Sequence, residues 1–357
     1  MHKRPSFGQR GFPSWRFPAR VPRAFSAFLL AFTLVACLPT AIKTSQPYLL
    51  VRHEGETLAV LSEKDPACLA FRAQVLSDPS IERLIGLFDG ATKALIASDI
   101  STGRSQTVAN ALVIVVDSEE TGVQRKVTIS KDSARVPVEL ALALGREGRM
   151  DADWARHHFA WAEGLFLYEL MGQRPASSWP PARPYEVTSP ARALEEGWAG
   201  ALDLLQGEAN PAPLAALRGS PNLSPPLQDR LLRAEWAPKN GFRVRFREGQ
   251  PTETLHSPDE ALATPGVVTT FFYRLLKEAS SLYPQRYMLW FANIEPGDVP
   301  YGKVLLAFCR MPKHNPSLKA FIKTYGETFP GERAWIEGLF EEVIGTAPEG
   351  QALISNP

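Results

Sequence analysis

The sequence predicts a mixed α+β, helix-rich domain with a small sheet, placed behind an export signal. Three observations predict it. Several long stretches repeat their apolar residues at spacings of three and four, as amphipathic helices do. A few short apolar runs, Ala111–Val116 above all, read as buried strands. The first 36 residues carry six basic side chains and no acidic one, and lead into a short apolar run.

That N-terminal segment has the order of a secretory signal. Lys3, Arg4, Arg10, Arg16, Arg20 and Arg23 precede an apolar run from Ala24 to Leu38. The run is roughly 15 residues long, short of the ~20 that a bilayer-spanning helix needs. Its end, Leu34-Val35-Ala36-Cys37, resembles the bacterial lipobox. The resemblance implies a lipoprotein: acyl chains on Cys37, cleavage before it, and residues 1–36 removed as signal peptide. Two or three acyl chains on one residue hold a protein stably at a membrane, where one chain holds it only marginally. Leu38, not Asp, follows the cysteine. By the sorting pattern of such lipoproteins this implies the outer membrane, facing the periplasm, if the host is diderm. The expected location is therefore the cell envelope, lipid-anchored.

Without the signal, 33 of the 39 basic residues stand against 38 acidic ones, a net of −5. A mildly acidic body speaks against nucleic acid as partner. With Cys37 acylated, Cys68 and Cys309 remain. An even remainder in an exported chain allows a Cys68–Cys309 disulfide, with two separately buried thiols as the alternative.

Residues 37–47 read as a lipidated tether and 48–346 as one globular domain, with a flexible tail over 347–357. Tyr48 to Leu61 suggests a hairpin. Asp65-Pro66 and Asp78-Pro79-Ser80 each open a helix, a proline behind a capping acid being a good start. Residues 111–116 and Val127–Ser130 suggest a hairpin or two neighbouring strands around the polar turn 117–122. Asp151 to Met171 is helical, with Trp154, His158, Trp161, Leu165 and Tyr168 recurring and Gly172 as stop. Residues 173–190 form a Pro-rich loop, and Ser189-Pro190 starts a helix through Leu205. Residues 207–226 form a second Pro-rich loop. Val267–Leu282, Leu318–Ile322 and Arg333–Ile344 read as helices. Val304–Phe308 fits a helix end or a strand.

Two segments point to chemistry: Arg156-His157-His158-Phe159-Ala160-Trp161, and Glu195-Glu196-Gly197-Trp198-Ala199. Together they resemble the site of gluzincin-type zinc metallopeptidases, in a degenerate form spread over residues 111–282. In that family one helix carries His-Glu-x-x-His, two zinc ligands with the general base between them, and a later helix supplies a glutamate. The resemblance gives His157 the first ligand position and Glu196 the third. His158 stands where the base belongs, and Trp161 where the second histidine belongs. Such a chain has lost most of the catalytic apparatus.

Asp153 lies four residues before His157, so Asp153, His157 and Glu196 form an alternative ligand set for zinc. His158 or Glu195 would then be the base. His157 and His158 themselves point about 100° apart on a helix and do not share an ion. His53, His256 and His314 are isolated, and no Gly-x-Ser-x-Gly elbow is present. Trp154, Trp161, Trp198, Phe271 and Phe272 are core candidates. Two functions follow from the resemblance: a binding lipoprotein without catalysis, engaging a peptide, a protein or cell-wall material, or a metal-dependent hydrolase with an altered ligand set. In the first, no cofactor is needed; in the second, it is zinc.

Overall fold

The computed structural model describes residues 46–97, 111–131, 134–178, 180–209, 245–247, 250–252, 257–279, 287–289, 292–294 and 299–344. The lipobox, residues 1–45, the loop 210–226, His256 and the tail 347–357 lie outside them. The described residues belong to one unit, Ile42–Pro357.

The chain opens with the expected hairpin, β1 (Tyr48–Glu54) and β2 (Thr57–Val60), paired antiparallel with Glu54 opposite Thr57. The turn carries Gly55 at φ 62°, a left-handed conformation that glycine adopts without steric cost. Then come α1 (Pro66–Phe71), a π-helical turn over Arg72–Leu76, and α2 (Pro79–Ala97). Asp65 caps α1 by accepting from Ala67 N at 2.8 Å, and Asp78 accepts from Ser80 N at 2.9 Å.

Three strands follow: β3 (Leu112–Val115), β4 (Gly122–Lys131) and β5 (Ala134–Ala143). β3 and β4 are not neighbours. β3 lies parallel to β1 and to β5, whereas β4 pairs antiparallel with β5 and parallel with β2. The order β1-β2-β4-β5-β3 closes into a barrel. Strand β5, unexpected from the sequence because Pro137 interrupts it, completes the ring.

Side chains alternate across a strand, so each strand feeds two cores. Leu49, Val51, Leu58, Val113, Val115, Ile129, Val138 and Ala141 fill one apolar cluster made of strand residues alone. Leu50, Leu112, Ile114, Val116, Leu142 and Leu144 face the other way and join the larger core shared with the helices.

The central helix of that core is α3 (Ala152–Leu170). Asp151 caps it, accepting from Trp154 N at 3.0 Å, and Gly172 at φ 86° follows its end. Every residue from His158 to Leu170 is buried. From His158 onward the helix is thus enclosed on every side, and most of the side chains it buries there are apolar. Trp161 and Leu165 meet Val123 of β4, and Phe166 sets its ring edge-on to Phe88 of α2.

The helix α4 (Pro190–Ala209) crosses α3 where Gly164 meets Ala199. Two short hairpins, β6 (Arg245–Arg247) with β7 (Gln250–Thr252) and β8 (Tyr287–Leu289) with β9 (Ala292–Ile294), flank the later helices in sequence. These helices are α5 (Pro258–Leu262), α6 (Pro265–Ala279), α7 (Val299–Arg310), α8 (Leu318–Thr328) and α9 (Arg333–Ile344). Val304–Phe308 is thus helical. The aromatic residues expected in the core are there: Trp198 packs edge-on against Phe272 and Phe308, and Phe271 against Phe321 and Phe340. The architecture is mixed α+β. No helix among the described residues is long and apolar enough to cross a membrane.

Candidate functional site

The sequence placed the functional residues on α3 and α4, and these two helices do lie against each other. A Cβ built on Gly164 would come within 2.5 Å of the Ala199 Cα, so the backbones touch at that crossing. Glu195 and Glu196 stand one turn before Ala199, both fully buried.

Their carboxylates are engaged with the chain itself. Glu196 pairs with Arg192 one turn earlier, Nε to Oε1 at 2.8 Å, and its Oε2 accepts from Ala182 N at 2.9 Å. Glu195 accepts through Oε2 from Ala176 N at 2.6 Å and Ser177 N at 2.8 Å. Arg192 also donates to the carbonyl of Pro180 at 3.2 Å. A loop without regular hydrogen bonding has to satisfy its backbone groups somewhere, and here two adjacent glutamates take three of its amides. They strap the Pro-rich loop 173–182 onto α4.

The α3 candidates lie elsewhere. Asp153 has its side chain 84% exposed and pairs with Arg156 at 3.0 Å, while Glu196 is 0% exposed. His157 is half-buried. His158 is buried, donates from Nδ1 to the Trp154 carbonyl at 2.9 Å and stacks on the Trp154 ring at 3.8 Å. Trp154 in turn donates from Nε1 to Thr121 Oγ1 at 2.9 Å.

The set Asp153, His157 and Glu196 therefore mixes a solvent carboxylate with one sealed inside an ion pair. Zn–O and Zn–N bonds of ~2.0–2.2 Å require ligands turned toward one point. These residues do not fit a zinc ion. Among the described residues no group of three or more His, Cys, Asp and Glu side chains is gathered for a metal. The base candidates fare the same way, Glu195 holding the loop and His158 bonded within its own helix. Cys68 and Cys309 are separate buried thiols, in place of the disulfide.

Two buried acids of α3, Glu169 and Glu163, escaped the sequence reading, and Tyr168 was read only as part of the helix's apolar repeat. Glu169 forms a two-armed ion pair with Arg125 of β4, Nε to Oε2 at 2.7 Å and Nη2 to Oε1, tying the helix to the barrel. Tyr168 lies beside it, its hydroxyl without a hydrogen-bond partner and its pKa raised by burial and by the charges of Glu195 and Glu169. Glu163 is fully buried with neither oxygen hydrogen-bonded, and burial holds its pKa well above the ordinary carboxylate value. The readable signal was an acid inside an otherwise apolar helix. The Arg192–Glu196 spacing of four was a second.

Burial also lifts the Glu195 pKa to about 7, against the opposing pull of the Ala176 and Ser177 hydrogen bonds and with a further push from Glu169. Glu195, Glu169, Tyr168 and Arg125 thus form one electrostatic cluster where α3, α4 and β4 meet.

Outside this region, His53 is not isolated. Its ring donates to Asp117 at 3.0 Å and its backbone N–H to the same carboxylate, pinning β1 to the loop after β3. His314 is exposed. No protein-family model, no curated protein and no solved structure matches this chain.

Proposed function

We propose that this chain is a lipid-anchored cell-envelope protein whose folded body binds a partner and does not catalyse. The anchor is Cys37, acylated after removal of residues 1–36, with the body in the periplasm on the outer membrane of a diderm host. Residues 37–47 tether the body, and its partner is a peptide, a protein or cell-wall material. The fold is read as zincin-like. Its support is the order of elements: a strand, the histidine-bearing α3, a loop, then the glutamate-bearing α4 crossing α3 at Gly164 and Ala199.

One observation carries the reading of lost catalysis. The glutamate matched to a zinc ligand, Glu196, is fully buried in an ion pair with Arg192 and a hydrogen bond from Ala182. Its neighbour Glu195 is equally committed. Acids with these partners act as loop fasteners, and turning one toward a metal would break its hydrogen bonds to the loop amides at a cost of about 1–3 kcal/mol.

Two measurements test the proposal. Labelled palmitate should enter the wild-type chain and not Cys37→Ser; equal labelling of both would remove the anchor. The soluble body, purified without chelator and supplied with zinc, should retain no stoichiometric metal and cleave no peptide. Chelator-sensitive cleavage would restore the hydrolase reading.

A further inference from the structure

At the end of the barrel where β1 and β3 finish and β4 begins, His53, Asp117, Gln124 and Ser118 line a cleft of about 470 Å³. Asp117 accepts from the His53 backbone N–H with both oxygens, at 3.0 Å each, and from the ring Nδ1 at 3.0 Å. With its one proton on Nδ1, the neutral imidazole offers Nε2 as an acceptor. The Gln124 amide nitrogen stands 3.3 Å from that Nε2 and 3.1 Å from Ser118 Oγ, and gives one hydrogen to each. Ser118 Oγ accepts a second time, from Glu120 N at 3.3 Å. Both lone pairs of this hydroxyl are therefore taken. Its proton has no acceptor among the described residues, although Ser118 is only 3% exposed and lines the cleft. The other arm of the Gln124 amide, Oε1, likewise has no donor among the described residues.

We propose that this cleft binds an extended peptide segment with a basic side chain, which names the partner in the binding reading above and rests on that reading. Gln124 Oε1 accepts from a peptide N–H of the ligand, and Ser118 Oγ donates to a peptide carbonyl. An acceptor and a donor side by side match a main chain, which offers one of each per residue. Asp117 and the exposed Glu119 and Glu120 set the sign, and no lysine or arginine is among the described residues that line the cleft. A basic side chain next to the bound amide meets carboxylates, and an acidic one is repelled.

These groups are held in place before any ligand arrives. Buried Thr121 donates to the Gly145 carbonyl at 3.1 Å and accepts from Trp154 Nε1 at 2.9 Å. A Cβ built on Gly145 would come within 2.0 Å of the Ser118 carbonyl oxygen, so the two loops touch backbone to backbone. Asp117 fastens the same loop to β1 through His53. Binding therefore does not have to order the recognising side chains first, which favours affinity.

The test titrates the mature chain with three capped tripeptides, acetyl-Ala-Lys-Ala-amide, acetyl-Ala-Ala-Ala-amide and acetyl-Ala-Glu-Ala-amide, and follows backbone and side-chain amides by two-dimensional NMR. The lysine peptide should shift Ser118, Glu120 and Gln124 saturably and bind tightest, and the glutamate peptide weakest. Gln124→Leu and Ser118→Ala should each weaken the lysine peptide about two- to tenfold, the effect of one neutral hydrogen bond. The double variant Glu119→Gln, Glu120→Gln changes only exposed side chains and should remove most of the preference for lysine over alanine; it serves alone if the other variants fail to fold. No saturable shift at these residues, a glutamate peptide bound as tightly as the lysine one, or a double variant with the wild-type preference would each overturn the cleft and leave the binding reading standing. Zinc-dependent cleavage of a lysine peptide that shifts these same residues would overturn that reading alone and support the cleft.

Discussion

Gly164 of α3 lies against Ala199 of α4 so closely that any side chain at the glycine would intrude on the neighbouring backbone, 2.5 Å from the Ala199 Cα. This contact sets the spacing of the two helices that carry every candidate residue, and the first prediction concerns it. Gly164→Ala should destabilise the body by about 1–3 kcal/mol through overpacking. Gly86, on the exposed side of α2, has nothing within 4 Å of a built Cβ. Gly86→Ala should stabilise by roughly 0.4–1 kcal/mol. Thermal melts of the two variants should move in opposite directions, and a neutral Gly164→Ala would contradict the close crossing.

Arg125 and Glu169 join the barrel to the central helix. The glutamate side chain is 1% exposed and the arginine 47%. Arg125→Ala removes both arms of the ion pair from a buried carboxylate, and because water reaches the arginine side the loss should be about 1–3 kcal/mol. The double variant Arg125→Ala, Glu169→Leu should recover part of it. Denaturant midpoints check both; a double variant no more stable than Arg125→Ala would mean that the ion pair does not govern the contact.

Glu163 has no hydrogen-bond partner and a pKa raised well above 4.5 by burial. Its folded value exceeds its unfolded one, so stability is intact below about pH 4.5 and falls as pH rises toward the folded value. Glu163→Leu should therefore raise the melting temperature more at pH 8 than at pH 4. The same gain at both would show that the carboxyl does not titrate on unfolding.

Cys68 and Cys309 are both buried, and burial raises both thiol pKa values. Thiol reagents should react slowly with the folded body and rapidly with two groups once it unfolds without reductant. Unreduced protein that yields no thiol after unfolding would restore the disulfide.

Much of the local structure was readable. Asp65-Pro66, Asp78-Pro79 and Asp151 announced helix starts because a short acid accepts the first free amides, and these bonds form as expected. Gly172 announced the end of α3 because a helix stops readily on a left-handed residue. The hairpin at Gly55 and the buried strand at 112–115 were equally plain. Strand β5 was hidden, since Pro137 removes a donor that a ladder normally uses. The barrel was hidden as well: period-two alternation states which side chains share a face but not which strands are partners, and β3 pairs with β1 and β5 across long stretches of chain.

The sequence by itself determined most of the long helices, several of their starts, the apolar faces and the expectation of an anchor at Cys37, because each rests on neighbours within a few residues; it left Val304–Phe308 open and passed over the short helix at Pro258–Leu262. It also singled out Glu195 and Glu196 as unusual acids. Only the tertiary structure decided what they touch. Whether a carboxylate meets a metal, an arginine or a loop amide depends on groups brought in from other elements, and here these are Ala176, Ser177, Ala182 and Arg192. A spacing along one helix fixes the direction of a side chain, not the identity of what lies opposite.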